Sequence, residues 1–131
     1  MNAAASLVSG TRKYDSGLSQ LLHVDLHWLD VVDRVQFKLA TTVHRCLNNK
    51  TPHYLADSCI LVSSLAGRQR LRSAQRHRLD VPRHHRTTLG RRSFAVAGPM
   101  VWNLLPDNIR NAGCAEATFK QMLKTFFLTQ H

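Results

Sequence analysis

The chain has 131 residues, of which 44% are hydrophobic, and this is typical of one folded domain and excludes a fully disordered chain. It carries 18 Lys and Arg against 8 Asp and Glu, which gives a formal net charge of +10. Such an excess opposes compaction and favours a polyanionic partner. Most of the basic residues are arginines, whose planar guanidinium groups can form paired hydrogen bonds with phosphate. No run approaches the ~18 apolar residues of a membrane span, so we expect no membrane partner.

The cysteines and the first residues indicate the compartment. The three cysteines, Cys46, Cys59 and Cys114, are odd in number and lack C-x-x-C spacing. This pattern argues against a disulfide scaffold and favours a reducing environment. The opening "MNAAASLVSG" has neither the charged start nor the long apolar middle of a secretory signal. We therefore expect an intracellular protein, nuclear or cytoplasmic, that is not secreted.

The first part of the chain predicts helices. Residues 2–9 are rich in helix formers and read as the tail of a helix, and residues 18–29 place leucines at helical spacing. The strongest helical pattern covers residues 30–48, where Asp30 can cap the N-terminus. Its apolar stripe, expected to face the core, is Val32, Val35, Leu39, Val43, Cys46 and Leu47. A short helix over 53–58 is predicted to follow, after Pro52.

The middle of the chain is less regular. Residues 59–66 read as a short strand or an extended segment. Residues 67–92, which we call the basic segment, predict loops with a brief extended stretch at "RLDVP". The run after them is apolar, but Pro99 favours two short helical pieces that meet near Gly98.

The last pattern is clear and completes a mainly α prediction. Residues 115–129 predict a helix whose apolar stripe is Phe119, Met122, Leu123, Phe126 and Phe127. Core packing is the simplest role for this stripe, and docking on another polypeptide is the alternative. The sequence thus predicts one small helical domain over residues 1–131, with the Arg-rich loop or extended segment at its centre.

Eight histidines raise the question of a metal site. His23 and His27 are four residues apart and would share a helix face, and His44 and Cys46 lie on the next predicted helix. No set of four ligands is specified, however, and there is no H-E-x-x-H motif. Structural packing is favoured over zinc, and we predict no metal and no cofactor.

Catalytic motifs are not evident. The sequence contains no G-x-S-x-G elbow, no phosphate-binding loop of the G-x-x-x-x-G-K type and no G-x-G-x-x-G fingerprint. Its acidic residues are few and scattered, unlike the paired carboxylates of two-metal phosphoryl chemistry. We predict that the chain is not an enzyme on its own and takes no small-molecule substrate.

The basic segment is the main candidate site. It contains nine arginines and three histidines against one acid, Asp80. It predicts a surface that contacts nucleic-acid phosphates electrostatically; the alternatives are a solvated charged loop or a nuclear localisation signal. Aromatic residues do not alternate with the arginines, which argues against base stacking and sequence-specific reading. The candidate residues are Arg68, Arg70, Arg72, Arg76, Arg78, Arg83, Arg86, Arg91 and Arg92.

An ordered series of short motifs runs across nearly the whole chain. The motifs are Leu26 to Leu29, Arg34 to Lys38, Pro52 to Leu55, Leu71 to Ser73, Val81-Pro82, Gly90 to Pro106 and Phe119 to Lys124. In their order and spacing, they resemble the carboxy-terminal, post-polymerase region of the reverse transcriptase polyprotein of animal non-LTR retrotransposons, of the jockey-like and chicken-repeat-like groups. Two positions depart from the family pattern: Asp30 stands where proline is usual, and Gly98 where alanine is common.

The resemblance implies a non-catalytic fragment of an RNA-directed DNA polymerase, because the polymerase and endonuclease residues of the family are not in this sequence. It implies RNA or DNA as a non-specific, electrostatic partner and the upstream reverse transcriptase domains as a further partner. The alternative is an interaction or scaffold remnant that packs against those polymerase domains and has no activity of its own.

Overall fold

Helices account for most of the secondary structure in the computed structural model, which describes residues 7–8, 10, 28–72, 74–83, 89–111 and 113–130. The described part contains two 3-10 turns, Val62–Ser64 and Ala74–Arg76, and a single antiparallel bridge but no strand. The mainly α prediction is therefore confirmed. The helices are α1 (Val31–Leu47), α2 (His53–Ala56), α3 (Leu89–Arg92), α4 (Phe94–Leu104), α5 (Asp107–Arg110) and α6 (Glu116–Thr129).

The ends of α1 follow the capping residues in the sequence. Asp30 has an extended backbone, and its carboxylate accepts a hydrogen bond from the Val31 amide at 2.6 Å. At the other end, Asn49 adopts a left-handed backbone with φ 55°, which asparagine tolerates better than most residues. The helix predicted over 30–48 is confirmed within one residue at each end.

The buried face of α1 differs from the predicted one. Val32 and Val35 were expected in the core, but they are 61% and 54% exposed, so that part of the prediction is wrong. The face turned inward in this half of the helix contains polar residues, which a hydrophobic pattern does not detect. The buried residues of α1 are Asp33, Ala40, Thr41, Val43, His44 and Cys46.

Helix α4 is continuous, and the predicted break near Gly98 is wrong. Pro99 lies inside the helix and is buried, although proline removes one hydrogen bond of the helix interior. A Cβ atom on Gly98 would lie 3.2 Å from Val43 of α1 and 3.1 Å from Phe94. The missing side chain therefore lets α4 lie close to α1, and this packing helps to offset the cost of the proline.

Helix α6 closes the core against α1 and α4. Phe119, Leu123 and Phe127 are buried, and Phe119 stacks on Trp102 of α4 with ring centroids 5.8 Å apart. Met122 and Phe126 are half-buried, so the predicted stripe is confirmed with its edge partly exposed. The buried apolar cluster consists of Ala40, Val43, Leu79, Trp102, Leu105, Ile109, Phe119, Leu123 and Phe127.

Other predicted elements have mixed outcomes. The helices expected over 2–9 and 18–29 lie almost entirely outside the described residues. The short helix after Pro52 is confirmed over His53–Ala56. Within the segment 59–66, Leu61 and Leu65 have an extended backbone, and a 3-10 turn at Val62–Ser64 separates them. Within the described ranges, no helix is both long and apolar enough to span a membrane.

Candidate nucleic-acid interface

The middle of the basic segment forms a turn that two neighbouring parts of the chain hold in place. Leu79 bridges Leu61 in an antiparallel pair. The Val62 amide donates to the Arg78 carbonyl at 2.9 Å, and the Asp80 amide donates to the Ile60 carbonyl at 2.8 Å. This isolated bridge lies within the stretch "RLDVP", for which the sequence predicts an extended backbone. We call residues 74–80 the pinned turn.

Asn103 of α4 holds the other edge of this extended stretch. In an antiparallel pair, alternate residues direct their backbone groups to opposite sides, so Leu79 turns its amide and carbonyl away from Ile60 and Val62. The Leu79 amide donates to Asn103 Oδ1 at 2.9 Å, and Asn103 Nδ2 donates to the Leu79 carbonyl at 2.9 Å. One asparagine side chain therefore satisfies both backbone groups of a residue that is 2% exposed.

Trp102 and Asn111 hold the middle of the pinned turn, at His77. Trp102 is 2% exposed, and its indole Nε1 donates to the His77 carbonyl at 2.8 Å. His77 has a left-handed backbone with φ 49°, and its ring nitrogen Nδ1 lies 2.7 Å from Asn111 Oδ1. A left-handed non-glycine residue persists only where its surroundings hold it, and these two contacts do so.

The candidate arginines fall into three groups. Arg68, Arg70 and Arg72 precede the pinned turn and are exposed. Arg76 is exposed and Arg78 half-buried within the turn, while Arg83 is exposed beyond it. The third group, Arg91 and Arg92, is exposed on α3, so the end of the basic segment is helical rather than the predicted loop. Arg86 lies outside the described residues.

Arg110, which the sequence analysis did not select, joins the site from α5. Its side chain is 2% exposed, Nη1 donates to the Asn103 carbonyl at 2.9 Å, and Nη2 pairs with Asp107. Burial lowers the pKa of Arg110, and the nearby charges of Arg78 and Arg76 lower it further. The structure thus gathers Arg76, Arg78 and Arg110 at one place. The signal in the sequence was an Asp-Arg pair three residues apart after Pro106.

Two carboxylates lie among these arginines. Asp80 accepts a hydrogen bond from Arg68 Nη1 at 2.7 Å, and both side chains are partly exposed. Asp107 pairs with Arg110 and lies 3.8 Å from Nε of Arg76. Exposed ion pairs of this kind contribute about 0–1 kcal/mol, so Arg68 and Arg76 can exchange their carboxylate partners for another anion.

The metal and thiol candidates have structural roles in the core. His44 stacks on Phe119 with centroids 4.1 Å apart, which is the packing role expected for a buried histidine. Burial raises the pKa of the Cys59 thiol to about 12, beside Cys46, so this thiol stays protonated. Across the described residues, no group of three or more His, Cys, Asp or Glu side chains could hold a metal ion. His23 and His27 lie outside those residues.

Comparisons with known proteins add no relative to this geometry. No family model matches the chain, and neither the curated proteins nor the solved structures give a match.

Proposed function

We propose that the chain binds the phosphate backbone of RNA or DNA through the arginines on and around the pinned turn. The observation that carries the proposal is the anchoring of this turn by Trp102 and Asn103 of α4. A backbone held in this way loses less conformational freedom on binding, so more of the charge interaction contributes to affinity. Arginine also suits phosphate, because its guanidinium forms paired hydrogen bonds with phosphate oxygens.

Binding through this surface is independent of base sequence. Residues 67–92 contain no Phe, Tyr or Trp side chain on which a base could stack. Contacts to phosphate position a protein on a nucleic acid but carry no direct sequence information. We therefore expect similar affinities for strands of different sequence and a strong dependence on salt.

The family resemblance supplies the wider context of this proposal. The chain corresponds to the region after the polymerase in a non-LTR retrotransposon reverse transcriptase, and it has no catalytic activity of its own. In such a polyprotein the pinned turn would hold template RNA or target DNA near the polymerase. The order of the short motifs, from Leu26 to Lys124, supports this assignment.

Salt dependence of binding tests the proposal. The purified chain is titrated against labelled single-stranded RNA, single-stranded DNA and duplex DNA of unrelated sequences at several salt concentrations. Each phosphate contact contributes about 0.7–0.9 to the slope of log affinity against log salt. Neutralising five arginines that each contact a phosphate, by changing them to glutamine, should therefore lower the slope by roughly 3.5 to 4.5. The five are Arg68, Arg70, Arg72, Arg76 and Arg78.

A matched control separates this surface from overall charge. The control also loses five positive charges, but from α1, α6 and the residue at position 50. It should keep most of the wild-type slope, and circular dichroism shows whether both variants fold. Equal slopes for the two variants, or a wild type without salt-dependent binding, would contradict the proposal. The control changes Lys38, Arg45, Lys50, Lys120 and Lys124 to glutamine.

A second candidate function follows from the exposed apolar residues of α1. One face of α1 carries three exposed valines. They are Val31, Val32 and Val35, which are 58%, 61% and 54% exposed. In the interaction hypothesis, this side packs against the upstream polymerase domains. The isolated chain should then self-associate during size-exclusion chromatography, and Val32→Lys with Val35→Lys should restore the monomer. A monomeric wild type argues against this function.

A further inference from the structure

Three guanidinium groups meet where the pinned turn contacts α5. Arg110 is buried, Arg78 is half-buried, and the side chain of Arg76 is 54% exposed. One carboxylate, that of Asp107, lies next to Arg110 and Arg76. The junction therefore has an excess of positive charge that becomes more accessible from Arg110 outward to Arg76.

Hydrogen bonding at this junction is incomplete. The Nε atoms of Arg78 and Arg110 are buried and have no hydrogen-bond partner in the described part of the chain. Buried donors without an acceptor are unfavourable, and guanidinium groups carry more donors than one carboxylate can satisfy. A tetrahedral phosphate beside Arg76 and Arg78 would supply acceptor oxygens and negative charge beyond those of Asp107.

We infer that the junction is a binding site for one phosphate group of the nucleic-acid backbone, held between Arg76 and Arg78. Arg110 lies behind them and adds its charge without touching the ligand. In the free protein Asp107 pairs with Arg76, so a phosphate that binds Arg76 must displace Asp107 from it. This inference rests on the proposed function, and it names the site where a single phosphate is bound most specifically.

The geometry of Asp107 supports its competing role. The distance from Asp107 to Arg76 Nε is 3.8 Å and both side chains are about half exposed, so the pair is loose. The contact between Asp80 and Arg68 is closer, at 2.7 Å. A phosphate can therefore displace Asp107 from Arg76 while Asp107 keeps its contact with Arg110.

Removing the charge of Asp107 tests the site. Asp107→Asn keeps an amide oxygen as an acceptor for Arg110 and removes the competing charge. At low salt, this variant should bind labelled single-stranded RNA about three- to tenfold more tightly than the wild type. Asp57→Asn makes the same change of net charge at an exposed residue after α2, and it should change the affinity by under about twofold.

The gain must also depend on Arg76. In the background of Arg76→Gln, the Asp107→Asn change should raise the affinity by under about twofold, because the competition for Arg76 no longer exists and only the screened repulsion by Asp107 is removed. A gain as large as in the wild-type background, or equal effects of Asp107→Asn and Asp57→Asn, overturns the inference and leaves the proposed function standing. A wild-type chain without salt-dependent binding overturns both.

A second comparison applies if circular dichroism shows that Asp107→Asn does not fold. Arg78→Gln and Arg91→Gln each remove one positive charge, but only Arg78 lies at the junction. Arg78→Gln should then lower the RNA affinity by about fivefold more than Arg91→Gln. Equal losses in the two folded variants overturn the inference.

Discussion

Two parts of the basic segment have similar compositions but different support. Residues 68–72 carry three exposed arginines, and among the described residues their only side-chain ion pair is the one between Arg68 and Asp80. The pinned turn, residues 74–80, carries two arginines on a backbone that is bonded to α4 and to the segment at Ile60. Arginine content alone therefore does not distinguish a charged segment held by local turns from one anchored to the helical core.

The difference arises from two adjacent residues of α4. Trp102 holds the His77 carbonyl, and Asn103 holds both backbone groups of Leu79. Because Trp102 also packs on Phe119, the position of the turn is coupled to the helical core. A turn outside the helices can thus be anchored to the core when a helix supplies its missing hydrogen-bond partners.

The largest expected effect comes from removing Trp102, which joins the pinned turn to the helical core. Trp102→Ala deletes a buried ring and the hydrogen bond to His77, and it should lower the free energy of unfolding by about 3–5 kcal/mol. Urea denaturation followed by circular dichroism measures this loss. Leu104→Ala, at an exposed residue of the same helix, should cost under about 1 kcal/mol. Similar losses for the two variants would show that the turn and core are not joined through Trp102.

A smaller effect is expected when only the support of the turn is removed. Asn103→Ala leaves the Leu79 amide and carbonyl without partners, and it should cost about 1–3 kcal/mol of stability. Hydrogen exchange at Leu79 should accelerate more than exchange in α6. Asn108→Ala, at an exposed position of α5, serves as the control. Unchanged exchange at Leu79 in Asn103→Ala would contradict the role of Asn103.

The smallest effect concerns the core and depends on pH. Burial lowers the pKa of His44, opposed in part by the carboxylate of Glu116, so the folded state favours the neutral ring. The unfolded chain then binds the proton more readily, and stability falls as the pH decreases through the ordinary histidine range. Urea denaturation at about pH 7.5 and about pH 5.5 should show this decrease in the wild type. The decrease should be smaller in His44→Phe; an identical decrease would exclude His44 as its source.

Sequence patterns predicted the positions of the helices better than they predicted the contacts between the helices. The bounds of α1 and α6 follow from the Asp30 cap and from apolar spacing. The continuity of α4 was not predictable from Pro99 alone, since it depends on the close approach of Val43 to Gly98. The exposure of Val32 and Val35 likewise depends on which face of α1 meets the neighbouring helices.

The candidate site was likewise predictable from the sequence only in part. The exposed arginines were identifiable from composition, because a run of charged residues with one acid has few alternatives to the surface. The roles of Asn103 and Arg110 were not identifiable from composition. Each of these residues acts on backbone groups or charges that are far away along the chain. Long-range hydrogen bonds of single polar residues leave no periodic pattern in a sequence.

One measurement tests most directly whether the pinned turn is the binding surface. Two double variants remove equal charge: Arg76→Gln with Arg78→Gln in the turn, and Arg70→Gln with Arg72→Gln before it. RNA affinity at low salt is compared for both after circular dichroism confirms folding. The turn variant should lose about tenfold and the other about threefold, because fixed arginines lose less freedom on binding. Equal losses, or a larger loss for Arg70 and Arg72, would contradict the proposed role of the pinned turn.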